Sequence, residues 1–448
     1  MAKENSAFSI QHSALTPRAL ALQILCRCER GRSYANLALD AALKREALSP
    51  ADAAMCTALV YGVIERRRTL DYQLENLLTK PLAQLPPDTR AALRLGLYQL
   101  FYMERIPAHA AIHESVELVK RSPNARHTAA LVNAVLRRAQ GQGLRLPDGD
   151  DDASLGVRCS CPQWLVGLWR ESYPKDYLRL LERSFGSGEL VLRVNTLKTN
   201  MEDLAQLLGG EEIPWLPGAL RMEGGAVASL PGWDDGLFHV QSAAAQLCCM
   251  ALDPQPGDTV FDLCAAPGGK SFTCAEMMGD RGRVIAMDLH ENRVNLIRKG
   301  TARLELSCIE AMRGDAREAG EILSNCGKAA CVLCDVPCSG LGILGKKPDI
   351  REKMHAELDK LPEMQYDILC AGAGCLAEDG VLVYSTCTLN PAENEGVCRR
   401  FLQTHPQFKT APVLPGIPGL RSEEGFLTLM PHISGTNGFF IARFSGGK

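Results

Sequence analysis

No uninterrupted apolar run in this chain of 448 residues approaches the length of about 18 that a bilayer-spanning helix needs. The first ten residues, Met1 to Ile10, are polar and lack the apolar core of a secretory signal. Strong net charge is also missing, at −3 overall, so the chain as a whole is not committed electrostatically to a polyanion. No internal repeat is present, which excludes solenoids and propellers. There is no Gly-x-x-x-x-Gly-Lys-Ser/Thr loop and no Gly-x-Gly-x-x-Gly turn, and nucleoside triphosphate and dinucleotide readings lose their main support. These absences lead to the expectation of a soluble, cytoplasmic, monomeric protein with no membrane partner.

Charge and cysteine are unevenly placed rather than scarce. Residues 1–140 carry 19 Lys and Arg against 12 Asp and Glu, whereas the rest carries 30 against 40. A basic front and an acidic back suggest that the front meets a polyanion. The Arg66-Arg67-Arg68 cluster and Arg121 are candidate phosphate contacts there. The 18 cysteines, in a chain without a signal, read as reduced thiols that are mostly small buried hydrophobes. Cys331-x-x-Cys334 lies within a predicted strand without a second pair at zinc spacing, so no metal site is expected.

The patterning divides the chain at about residues 140, 160 and 238. Helical periodicity fills the first part, at Ala19–Glu29, Ala35–Glu46, Pro50–Arg67, Leu70–Leu78, Asp88–Tyr102, Ala108–Lys120 and Thr128–Gln140. Residues 141–160, rich in Gly and Asp, read as a linker. Residues 161–238 read as a small α+β connector with a strand at Leu190–Asn195 and a helix at Met201–Leu208. Residues 239–448 alternate strand and helix, the signature of a mostly parallel sheet. Strands are predicted at Thr259–Ala265, Arg283–Asp288, Ile309–Arg313, Ala330–Val336 and Val381–Ser385. Phe426–Met430 and Gly438–Phe444 are predicted to form a hairpin at the sheet edge.

Three short motifs carry the chemistry, and each follows a strand. Asp262-Leu-Cys-Ala-Ala-Pro-Gly-Gly-Lys270 opens a helix with small residues, which lets a ligand lie against backbone. An acid closes each of the next strands: Asp288, suited to ribose hydroxyls, then Asp315, suited to an adenine amino group, then Asp335. One strand-end Asp alone is most often a helix cap, but four beside a Gly-rich turn favour a ligand site. Asp335-Val-Pro-Cys338-Ser-Gly and Ser385-Thr-Cys387-Thr each place a thiol at a strand's carboxyl edge. A thiolate adding to C6 of a pyrimidine makes C5 nucleophilic toward a methyl group, so paired thiols there suit covalent catalysis. An acid near N3 would stabilise such an adduct, and Asp335 stands in the right place. The residues support the pair of thiols without ordering them.

These motifs, with Lys346-Lys-Pro-Asp349, Tyr384-Ser-Thr-Cys-Thr-Leu-Asn-Pro-Ala-Glu-Asn-Glu395 and Asn437-Gly-Phe-Phe-Ile-Ala-Arg-Phe444, resemble the Sun/Fmu (RsmB-type) family of rRNA 5-methylcytosine methyltransferases. The likeness spans the whole chain. It implies an all-α NusB-like N-terminal bundle that binds RNA, the α+β connector, and a Rossmann-like class I methyltransferase domain with a mostly parallel seven-stranded sheet. It implies S-adenosylmethionine held by Cys264, Ala265, Ala266, Pro267, Gly268, Gly269, Lys270, Asp288, Asp315 and Asp335. It assigns Cys387 as the nucleophile and Cys338 as the thiol that assists product release, with Asp335 beside them. The substrate it implies is 16S rRNA of the small subunit, naked or partly assembled. Lys346 and Lys347 are then candidates for phosphate beside the cleft, and Arg193 and Asn195 either contact RNA or brace it. One departure is Ser242, where close relatives commonly carry Asp.

Two rivals are weaker. Amino-group methyltransferases use an Asn/Asp-Pro-Pro-aromatic turn after the fourth strand, where this chain has Asp-Val-Pro-Cys. A non-catalytic NusB-like RNA-binding assembly or antitermination factor would need neither the acids nor the thiols.

Overall fold

The computed structural model describes residues 15–31, 35–46, 48–186, 188–224, 227–414, 416, 417, 420, 422 and 424–446. The polar stretch Met1–Ile10 and the predicted turn residue Gly225 lie outside them. The chain divides into two compact units, one of residues 1–167 with 347–352, the other of residues 168–346 with 353–448.

The first unit is helical: Pro17–Glu29, Ala35–Arg45, Pro50–Glu65, Arg67–Glu75, Pro87–Tyr102, Ala108–Arg121 and Ala129–Gln142. Thr16 and Ser49 cap two of these helices through their side-chain oxygens, and proline opens three. Their apolar faces share one core, which includes Leu20, Leu59, Leu70, Leu93 and Leu136. The run of Asp residues in the predicted linker does more than solvate. Asp151 accepts N–H bonds from Ala153 and Ser154 at 3.0 Å each and caps a short helix, Asp152–Arg158. The Arg66–Arg68 cluster is also engaged locally. Arg66 stacks over the Tyr102 ring at 4.9 Å, Arg67 pairs with Glu352 at 3.1 Å, and Arg68 reaches the Arg351 carbonyl.

The second unit holds two sheets. The smaller is antiparallel, with β1 Leu190–Val194, β2 Glu211–Glu212, β3 Ala219–Met222 and β4 Phe238–Val240 in the order β2-β3-β1-β4. The larger contains β5 Thr259–Asp262, β6 Arg283–Asp288, β7 Ile309–Arg313, β8 Ala329–Asp335, β9 Leu376–Thr386, β10 Phe408–Thr410, β11 Phe426–Leu429 and β12 Phe439–Gly446. It runs β10-β12-β9-β8-β5-β6-β7, with β5 to β9 parallel and β12 antiparallel to β9. Strands β10 and β11 pair with different stretches of β12, so they share the position beyond it. The sheet is therefore seven positions wide, and the predicted final hairpin of β11 and β12 sits at that edge.

Helices cover both faces of this sheet, which is why its strands read as continuous apolar runs. Val260, Val284, Leu333 and Val383 face one core, with helices Ala243–Leu252 and Gly269–Met277. Phe261, Ile285, Val332 and Leu382 face the other, with helices Leu361–Cys375 and Glu395–Thr404. Ser242 caps helix Ala243–Leu252 by accepting the Ala245 N–H at 3.4 Å. Aspartate caps equally well, so the departure at this position keeps the helix cap.

From β5 the chain winds one way through β6 and β7, then returns to lay β8 and β9 on the other side. The carboxyl ends of β5 and β8 are thus the switch point, where open α/β sheets bind ligands.

Candidate active site at the switch point

The turn after β5 is built so that only small residues fit. Gly268 has φ +111°, and a Cβ there would lie 2.4 Å from the Phe272 ring. The next residue opens helix Gly269–Met277, whose first-turn N–H groups have no intrahelical acceptor. Asp288, at the end of β6, grips the turn: it accepts the Ala266 N–H at 3.3 Å and pairs with Arg293 at 3.3 Å. Arg293 in turn donates to the Ala266 carbonyl at 2.7 Å. Gln241 holds the far side, donating to the Gly269 carbonyl at 3.1 Å.

Asp262 is buried and keeps one oxygen, Oδ2, on the Ser271 hydroxyl at 2.7 Å. Its Oδ1 is buried without a partner. Burial pushes its carboxyl up to about 7. A buried acceptor with nothing to accept, beside a turn of small residues and a helix start, suits a ligand that brings donors and positive charge. S-adenosylmethionine has an ammonium, a sulfonium and ribose hydroxyls, so the residues present fit it.

Asp335 ends β8 and has both oxygens occupied. Its Oδ2 accepts from the Lys270 ammonium at 2.7 Å, and its Oδ1 accepts from the Ser385 hydroxyl at 2.7 Å. Burial works against the Lys270 charge, but the Asp335 carboxylate outweighs it and raises the pKa of the ammonium. Lys270 also lies 5.4 Å from the centre of the Phe439 ring. So Asp335 stands here as an ion-paired acceptor.

The register of β8 and β9 explains the thiols. The strands are parallel with Asp335 opposite Ser385. Three residues on from one and two from the other, Cys338 and Cys387 arrive side by side, Sγ to Sγ 3.3 Å. Both are partly accessible, whereas Cys331 and Cys334 are buried in the strand. Contact with the Cys387 sulfur, together with burial and the nearby Glu393 carboxylate, pushes the Cys338 thiol well up. Cys264, in the cofactor turn, is raised by burial.

The structure thus brings Cys338, Cys387, Asp335 and Lys270 together and ties Asp288 to the turn. Asp315 stands differently. It caps a short 3₁₀ turn and binds its neighbour Arg317, with 3.0 Å from Nε to Oδ1, which holds its carboxyl low. Arg193 and Asn195 brace rather than reach out. Arg193 is 7% exposed and pairs with Glu276 at 3.3 Å, and Asn195 is fully buried against the Gly236 and Leu304 carbonyls. Lys346 is half-buried, which lowers its pKa against the pull of Glu189. Among the described residues no group of His, Cys, Asp and Glu could hold a metal ion, and no helix is long and apolar enough to cross a membrane.

Residues 249–445 match the family model described as 16S rRNA methyltransferase RsmB/F. Residues 15–141 match the NusB family, and residues 161–226 match the ferredoxin-like domain of RsmF/B-like methyltransferases. A probable ribosomal RNA small subunit methyltransferase B of Synechocystis is 40% identical, over 96% of this chain and 99% of its own. The chain belongs to the RsmB/F family. A Bacillus subtilis relative, also a probable ribosomal RNA small subunit methyltransferase B, is 36% identical over 95% of this chain and 97% of its own. The solved protein PH0851 superposes with TM-score 0.80 at 25% identity, covering 97% of this chain and 99% of its own. A methyltransferase homologue from Pyrococcus horikoshii gives TM-score 0.57 at 28% identity, covering 66% of this chain and 99% of its own. Family membership makes the chain a methyltransferase with S-adenosylmethionine as cofactor, and it carries the expected order of NusB-like bundle, α+β connector, here matched as ferredoxin-like, and Rossmann-like sheet.

Proposed function

We propose that the protein methylates C5 of a cytosine in small-subunit rRNA through a covalent bond between Cys387 Sγ and cytosine C6. The observation that carries this reading is the 3.3 Å thiol pair beside the Lys270–Asp335 ion pair. The rRNA substrate is supported by the similarity to probable small-subunit rRNA methyltransferases along 97–99% of their length. The target base, stacked in structured RNA, has to be turned out to reach the thiols.

Residues Cys264 to Lys270, Asp288 and Asp335 would hold the cofactor, and Asp315, expected beside them, is engaged by Arg317. Bound S-adenosylmethionine supplies an electrophilic methyl group. The Cys387 thiolate adds to C6, and the electron pair of the C5–C6 double bond becomes available at C5. Asp335, an ion-paired acceptor, is suited to hold the N4 amino group or a proton at N3, which steadies the adduct. Once C5 is methylated, its proton passes to solvent water, the C5–H electron pair re-forms the double bond, and the S–C6 bond breaks to return the thiolate. Cys338 assists that release.

The order of the two thiols is the one that the resemblance to the family implies. Two adjacent thiols do not ionise independently. The Cys338 thiol is pushed well up by the neighbouring sulfur, by burial and by Glu393. A purely RNA-binding assembly factor would need neither sulfur at this edge.

The product tests the reading. Small-subunit rRNA incubated with the protein and methyl-labelled S-adenosylmethionine, then digested to nucleosides, should yield 5-methylcytidine by mass spectrometry. Label in N4-methylcytidine, or in no nucleoside, would sink it.

A further inference from the structure

Glu393 is fully buried, and no Lys, Arg or His lies within ion-pair range of it among the described residues. A lone buried carboxylate is costly unless its oxygens are satisfied. Here two of the three donors come from turns that carry the thiols, and the third from helix Leu361–Cys375. Oε2 accepts the Ser339 N–H at 2.8 Å and the Gln365 amide at 2.9 Å. Oε1 accepts the Asn390 amide at 2.9 Å. The Gln365 amide nitrogen also donates to the Pro337 carbonyl at 2.9 Å. The residues on both sides of Cys338 are therefore fastened to the segment that follows Cys387.

The same two turns meet again at Ser339 and Thr388, whose hydroxyls lie 2.6 Å apart. Tyr384, on β9, donates its hydroxyl to the Glu393 carbonyl at 2.5 Å, which anchors the carboxylate's own backbone to the strand. Glutamine could not do this work. It has one acceptor oxygen, and its amide would set N–H against the donor of Asn390 or Ser339. A carboxylate accepts on both oxygens, and its charge makes each bond stronger than a neutral one.

We propose that Glu393 is a positioning residue for methyl transfer, which clamps the Cys338 turn to the Cys387 turn and so sets the contact between the two sulfurs. The inference rests on the proposed roles of those cysteines.

The test uses the full chain with small-subunit rRNA and S-adenosylmethionine. Glu393→Gln should lower kcat by about tenfold to a hundredfold, the scale of one lost charge-assisted hydrogen bond. KM for both substrates should stay near wild type, and covalent RNA–protein adduct should build up on denaturing gels because release is impaired. A bifunctional thiol reagent should also link Cys338 to Cys387 more slowly. Gln365→Met removes only the bridge and should shift all these readouts in the same direction by less. If Glu393→Gln does not fold, as judged by melting and cofactor binding, Gln365→Met decides alone. Wild-type kcat and cross-linking in the folded variants would overturn the proposal. Turnover retained by Cys387→Ala would instead overturn the reading on which it rests.

Discussion

Cys387→Ala is expected to lose methyl transfer by at least about 10³-fold, because removing a covalent nucleophile removes the adduct route altogether. S-adenosylmethionine binding should survive. The cofactor turn is held by Asp262, Asp288, Gln241 and Arg293, none of which depends on the Cys387 side chain. Equilibrium dialysis alongside a methyl-transfer assay separates the two effects. Serine at this position should be as inactive as alanine, since an un-ionised hydroxyl adds poorly to C6. Loss of binding together with loss of turnover would mean that the residue shapes the fold of the turn instead.

Glu276→Ala is expected to cost about 3–5 kcal/mol of stability, the usual penalty for removing one partner of a buried ion pair. Glu276 and Arg193 are both buried and 3.3 Å apart, and His239 Nδ1 lies 3.4 Å from the other carboxylate oxygen. Without the acid, the Arg193 charge keeps only the Pro217 carbonyl at 2.8 Å. The pair joins β1 to helix Gly269–Met277, so the loss should also loosen the cofactor turn. Denaturant unfolding of the whole chain checks this through the midpoint of the transition that carries the second unit. Glu276→Gln, which keeps a hydrogen-bonding oxygen, should lose less. A loss under about 1 kcal/mol for the alanine variant would show that water reaches Arg193 and solvates it.

Much of this architecture is legible in the residues themselves. Strands β6 and β7 have the predicted limits, and the apolar run of β6 ends abruptly at charged residues on both sides. The helices of the first unit lie where the apolar period and the prolines put them. The motif thiols stand at strand ends, as the apolar strands before them imply. What was not legible depends on partners distant in sequence. Lys270 and Asp335 are 65 residues apart, and their pairing exists only because β5 and β8 are neighbours at the switch point. Glu393 is an ordinary acid in a polar stretch until Ser339, Gln365 and Asn390 converge on it. Arg193 reads equally well as an RNA contact or a brace until Glu276 is seen beneath it. Asp315 carries the strand-end signal, yet an arginine two residues on takes its carboxylate. Strand β10 has three residues, too few for alternation to register. The helix at Asp152–Arg158 was masked by its own cap, since Asp runs mark loops and N-caps alike.

Which sulfur attacks decides the mechanism. Cys338→Ala, Cys387→Ala and the double variant should each be incubated with small-subunit rRNA and S-adenosylmethionine, then resolved on denaturing gels. Cys338→Ala should accumulate a covalent RNA–protein band, and the two variants lacking Cys387 should show none. A band in Cys387→Ala that vanishes in the double variant would contradict the assignment and make Cys338 the nucleophile.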